Sequence, residues 1–256
     1  MSSDAMSTKL SRRHILGGAC CAGIAAPAIG LGLVPAPVLA QATDHASHGP
    51  ATNLTPQEAL ALLKQGNADF VNNVPFAAPV DAQRRLEIAQ SQSPFTVLVG
   101  CSDSRVGPEI LFGRGLGELF IVRNAGNVVD TAAMGSVEYA VGNLGVPLVV
   151  VMGHERCGAV GAALSVVGEN ATFPGSIGHM VDPILPAAIK ARAEAGADAP
   201  EDEVFAAAVR ENVARVVTEL RTSSPVLAGP LAEGRLMVVG AYYDLDEGRV
   251  DFFMES

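Results

Sequence analysis

Two apolar runs constrain this chain more than any other feature: Phe95-Thr96-Val97-Leu98-Val99-Gly100 and Val146-Pro147-Leu148-Val149-Val150-Val151-Met152-Gly153. Each is short, rich in Val and bounded by Gly, the pattern of an interior strand of a parallel sheet buried on both faces. Each also runs directly into residues that carry chemistry. Cys101-Ser102-Asp103-Ser104-Arg105 follows the first, and His154-Glu155-Arg156-Cys157-Gly158 follows the second. Helical patterns come next in both cases, so Cys101 and His154 are expected at the carboxyl ends of strands, where open α/β sheets build their sites.

The remaining patterns fill in an α/β fold: a mainly parallel central sheet flanked by helices, with a C-terminal antiparallel edge hairpin. Thr55-Pro56-Gln57-Glu58 is a capping box with Pro at the first helical position, which predicts a helix from 56 to about 66, where Gly66-Asn67 reads as punctuation. Residues 81–90 form a second helical pattern, 106–111 a short helix, and 118–123 the next strand, closed by the turn Asn124-Ala125-Gly126-Asn127. The glycine-rich stretch 113–117 lacks the Lys-Ser/Thr of a P-loop and precedes a strand, so it is not a phosphate cradle. Residues 131–144, ending at Gly145, have the spacing of a crossover helix. Helices are also expected over 157–167, 183–195 and 204–220, with a loop over 168–178 and Ser223-Ser224-Pro225 ending the last helix. Strands at 235–244 and 249–253 are joined by the turn Leu245-Asp246-Glu247-Gly248. Residues 55–256 read as a single domain without internal repeats.

The first forty residues read differently. Ser11-Arg12-Arg13 precedes an uncharged run rich in Ala and Gly that closes with Ala40-Gln41-Ala42, an Ala-x-Ala processing signature. Residues 1–42 resemble a twin-arginine export signal, and 43–54 a linker in which His45 and His48 are solvated. An uncleaved membrane anchor is the alternative, although Gly and Pro make the run a poor helix. Cleavage would remove Lys9, Arg12, Arg13 and Asp4 and take the formal charge from −10 to −12. The expected mature protein is soluble, acidic, periplasmic or secreted, and not attached to a membrane. Its charge argues against nucleic acid as a partner.

Without the leader only Cys101 and Cys157 remain of the four cysteines. A disulfide would account for these two but not for the Asp, Arg and His beside them. Two thiolates and an imidazole are ligands that Zn²⁺ prefers, and three protein ligands leave one tetrahedral position open for water. His154 and Cys157 are three residues apart at a helix start, while Cys101 arrives from the other strand. Asp103 is placed either to take the fourth metal position or to accept a hydrogen bond from a water there. Arg105 is placed to hold that carboxylate in a bidentate pair.

With these residues in view, the sequence resembles the β-class carbonic anhydrases from Leu60 through the final hairpin. The most specific parts are Cys101-Ser102-Asp103-Ser104-Arg105, Arg123-Asn124-Ala125-Gly126-Asn127 and Gly153-His154-Glu155-Arg156-Cys157-Gly158-Ala159-Val160. The resemblance implies one zinc ion per chain on Cys101, His154 and Cys157, with Asp103 and Arg105 as a catalytic dyad and Asp103 as a possible fourth ligand in a closed state. It also implies a substrate pocket lined by Gln92 and, across the interface of a homodimer or larger oligomer, by Phe120 and Tyr139. The implied reaction is reversible hydration of CO₂ to bicarbonate and a proton, by attack of a zinc-bound hydroxide. Some members of that family carry an inhibitory bicarbonate site built around tryptophan, and this chain has no Trp. Two other functions remain: hydrolysis of carbonyl sulfide or carbon disulfide on the same scaffold, and zinc binding or redox sensing without catalysis.

Overall fold

The computed structural model describes residues 50–196 and 198–255. The expected leader, and the expected linker as far as residue 49, lie outside the described residues. Thr96–Cys101 (β1), Leu119–Asn124 (β2), Leu148–His154 (β3), Met237–Tyr243 (β4) and Val250–Phe253 (β5) form one sheet in the order β2-β1-β3-β4-β5. The first four strands are parallel, and β5 returns antiparallel on β4. The fold is therefore the α/β arrangement expected, including its terminal hairpin.

The helices are Pro56–Val71 (α1), Ala82–Ile88 (α2), Pro108–Leu111 (α3), Thr131–Leu144 (α4), Gly158–Glu169 (α5), Ser176–Val181 (α6), Leu185–Ala195 (α7), Glu201–Ser223 (α8) and Pro225–Ala232 (α9). A 3₁₀ turn, Asp182–Ile184, leads into α7. Alternation along the strands divides the core between the two faces of the sheet. Val97, Val99, Val149, Val151 and Val238 pack with Val137 of α4, Val213, Val217 and Leu220 of α8, and Leu227 of α9. Leu98, Leu148, Val150, Met152 and Val239 pack instead with Ala59, Leu60 and Leu63 of α1 and with Phe112. With both faces covered, β1 and β3 are buried along their whole length, which is why their sequences show no polar alternation.

Several boundaries differ from the sequence reading, each for a local reason. Helix α1 does not stop at Gly66-Asn67. A Cβ at Gly66 would overlap the carbonyl oxygen of Phe112, so glycine there permits close packing inside the helix. Buried Asn67 donates to the Gly248 carbonyl at 2.9 Å and accepts from the Val250 N–H at 2.8 Å, which ties α1 to β5 and the turn before it. Helix α6 begins inside the stretch read as a loop, at Ser176. Ser224-Pro225 starts a helix as well as ending one, because the Ser224 hydroxyl accepts the Leu227 N–H at 3.2 Å as the N-cap of α9. The described end of the expected linker also touches the domain, with Ser93 Oγ donating to the Pro50 carbonyl at 2.8 Å.

Candidate metal centre

β1 and β3 are neighbours in parallel register, Gly100 opposite Met152, so Cys101 and His154 emerge at the same end of the sheet. The chain then turns through Arg156, which has φ 52°, to place Cys157 as the N-cap of α5. The two sulfurs are 3.8 Å apart. Together with a nitrogen of His154, the ligand atoms all lie within 4.8 Å of one another. Two Zn–S bonds of ~2.3 Å at a tetrahedral angle separate their sulfurs by about 3.8 Å.

The imidazole fits the same ligand set. His154 is fully buried, and its Nδ1 lies 2.9 Å from the Glu155 carbonyl oxygen. Nδ1 must therefore carry the proton it donates, leaving Nε2 with a free lone pair. Nε2 is buried and has no hydrogen-bond partner among the described residues. A metal-ligating histidine commonly has its other nitrogen held by a carbonyl in this way, and a bound cation would satisfy an atom that is otherwise costly to bury.

Asp103 stands beside this cluster, with Oδ2 3.9 Å from His154 Nε2. Both of its oxygens are engaged by Arg105: Nε donates to Oδ1 at 2.9 Å and Nη2 to Oδ2 at 2.7 Å, and the Arg105 backbone N–H donates to Oδ1 at 2.9 Å. The Arg105 side-chain hydrogen bonds hold the Asp103 carboxyl well below the usual carboxylate range. Arg105 Nη2 also donates to the Arg156 carbonyl at 3.3 Å, which joins the dyad to the loop between His154 and Cys157. Between the two sulfurs, the Cys101 thiol is driven down, first because Cys157 donates to it and further by the Gly126 and Asp103 N–H groups. Cys157, as the donor of that bond and as a buried group, is pushed up. The pair is thus arranged to hold one proton between two sulfurs, a place a cation can take.

Five of the residues singled out in the sequence converge here: Cys101, Asp103, Arg105, His154 and Cys157. Gln92, Phe120 and Tyr139 do not join them within one chain. Gln92 is exposed in the loop before β1. Phe120 pairs with Val97, about 13 Å back along β1 from Cys101 at ~3.3 Å per residue. The Phe120 and Tyr139 rings lie 6.4 Å apart, half-buried against the core on the side of the edge strand β2.

Sequence reasoning assigned no role to three residues that support the site. Arg123 donates to the Cys101 carbonyl through Nε and to the Asp103 carbonyl through Nη2, both at 2.8 Å. Gly126 places its N–H 3.3 Å from Cys101 Sγ. Asn212, in α8, donates to the Gly126 carbonyl at 2.8 Å. The only sequence signal for Asn212 is a polar residue in the apolar row Val204, Ala208, Val216 of that helix.

A parallel sheet that brings two thiols and an imidazole together beside a fixed carboxylate defines an α/β metalloenzyme. Residues 96–250 match the carbonic anhydrase family. Carbonic anhydrase of Mycolicibacterium smegmatis is 43% identical over 199 residues, 78% of this chain and 94% of that protein. Carbonic anhydrase 2 of Mycobacterium tuberculosis is 39% identical over 197 residues, 77% of this chain and 92% of that protein. Among solved structures, a tetrameric β-carbonic anhydrase of Sordaria macrospora superposes with a TM-score of 0.61 at 27% identity, over 66% of this chain and 85% of that one. The chain belongs to the β-class carbonic anhydrase family.

Proposed function

We propose that this enzyme hydrates CO₂ to bicarbonate at a zinc ion held by Cys101 Sγ, His154 Nε2 and Cys157 Sγ. The observation that carries this reading is the buried, unpartnered Nε2 of His154 within reach of both sulfurs. When bound, zinc acts as a Lewis acid that brings the pKa of a coordinated water to about 7.

The residues around it have distinct tasks. Asp103, kept ionised by Arg105, can only accept hydrogen bonds, so it takes one from the attacking water and aims that water's lone pair. Because Arg105 occupies both carboxylate oxygens, Asp103 is held as a hydrogen-bond acceptor and away from ligation. The guanidinium also offsets part of the negative charge of two thiolates. Backbone N–H groups at the start of α5 do the same for Cys157.

We propose further that the active unit is a dimer or larger, in which Gln92 lines the substrate pocket and Phe120 and Tyr139 cover that of the partner. Support comes from their placement away from their own metal cluster and from exposed apolar side chains at Val74, Phe76 and Leu86. A leader with paired Arg12 and Arg13 supports export to the periplasm or beyond. Exchange of both arginines for lysine is expected to abolish export.

Metal analysis combined with stopped-flow CO₂ hydration tests the central reading. One zinc per chain is expected, with activity lost on chelation and regained on adding zinc. Full activity in metal-free protein would overturn it, as would zinc-loaded protein that leaves CO₂ untouched.

A further inference from the structure

The turn after β2 is built with unusual constraint. Gly126 and Asn127 follow one another in the left-handed region, with φ 80° and 47°. A Cβ on Gly126 would meet Ile184 Cδ1 at 2.5 Å and Ala159 Cβ at 3.0 Å. Backbone angle and space both require glycine there, and the N–H of this fixed residue donates to Cys101 Sγ at 3.3 Å.

Behind the turn stands Asn212. It is 2% exposed and occupies a row of α8 otherwise filled by Val204, Ala208 and Val216. Burying an amide in such a row is costly unless it is hydrogen-bonded. Its Nδ2 donates to the Gly126 carbonyl at 2.8 Å. Gly126 is thus held on one side by Asn212, while on the other its N–H reaches a sulfur of the metal cluster.

We propose that Asn212 is a positioning residue for the metal centre: it anchors Gly126 so that the Gly126 N–H fixes the Cys101 sulfur opposite Cys157. The proposal rests on the zinc reading above. Asn212 touches neither substrate nor ion. Its effect travels through one residue to one ligand, so loosening it lets Cys101 Sγ leave the position that the other two ligands require. Groups that hydrogen-bond a metal ligand, as Gly126 does, typically alter metal affinity about 10- to 100-fold, and Asn212, one step further out, is expected at the lower end of that range.

The test is zinc transfer to a chromophoric chelator from the full-length, zinc-loaded enzyme, alongside the sulfur-to-metal absorption band of the cobalt-substituted protein. Asn212→Ala is expected to release zinc about 10-fold faster than wild type and to shift the band. Asn212→Leu keeps the branched heavy-atom outline without a donor, and should do likewise if the alanine variant folds poorly. Leu63→Ala, in a fully buried position of α1 on the other core, is the stability control: it should lower the melting temperature and leave release and band unchanged. Wild-type release and an unshifted band in both Asn212 variants would overturn the proposal, as would equally fast release from Leu63→Ala. A wild-type protein that binds no zinc would instead overturn the metal reading itself.

Discussion

Cys101 and Cys157 face each other with their sulfurs 3.8 Å apart and unbonded, each buried, one at the end of a strand and the other at the start of a helix. A disulfide needs sulfurs about 2.05 Å apart, so the pair is spaced for an intervening ion. On the proposed zinc reading, replacing Cys157 with serine removes a ligand that two others cannot make up. Zinc content of purified Cys157→Ser should fall well below one per chain by atomic absorption, and full retention would remove Cys157 from the ligand set.

Asp103 has a different dependence, because it lies near the ligand atoms without being needed to hold the ion. Asp103→Asn keeps the shape but puts an N–H where an acceptor is required. Turnover should fall about 100- to 10,000-fold, the range for groups that manage a proton in the transition state. Zinc content should stay at one per chain, and stopped-flow assays with metal analysis on the same sample will separate the two effects.

The Asp103–Arg105 pair also has a pH signature. The folded carboxyl is depressed below its ordinary value of about 3.9, so the unfolded chain takes up the proton first as pH falls. Stabilisation from the pair is fully present above about pH 4 and is lost below it as the folded pKa is approached. Melting temperatures of wild type and Asp103→Asn should therefore differ by a constant amount near neutrality and converge in acid. A difference that widens on acidification would mean that the carboxylate is not stabilised by its partner.

At the other end of the domain, the Thr55–Glu58 capping box satisfies two N–H groups of α1 reciprocally, with contacts of 2.8 and 3.3 Å. Thr55→Ala should cost about 1 kcal/mol and lower the melting temperature by about 2–4 °C for a domain of this size. CO₂ hydration below the transition should be unchanged.

How much of this was legible in the sequence depended on whether a residue's partner was local. The capping box and the strand ends were visible because their signals lie within a few residues. The clustering of Cys101, His154 and Cys157 was visible because each half of the site follows its strand directly. Gly66-Asn67 misled because a glycine used for helix packing looks like a glycine that ends a helix until Phe112 is placed against it. Asn212 was silent for the same reason, and Arg123 stood in a motif without a role, since each acts on a backbone group whose position only the assembled sheet defines. Gln92, Phe120 and Tyr139 were suggested by resemblance alone, and one chain does not bring them to its own cluster.

The sheet order sets when the metal centre can come into being. β1 lies between β2 and β3, and its partner for the ligand cluster is the strand made later, after α4 has crossed over. A growing chain therefore carries Cys101 as a bare thiol until β3 and the start of α5 have emerged and docked, and such long-range parallel pairing is slow. Any oxidant met in that interval finds Cys101, and then Cys157 as it emerges, unguarded. Completing the sheet closes that interval, because the docked β3 and α5 bury both sulfurs away from any oxidant.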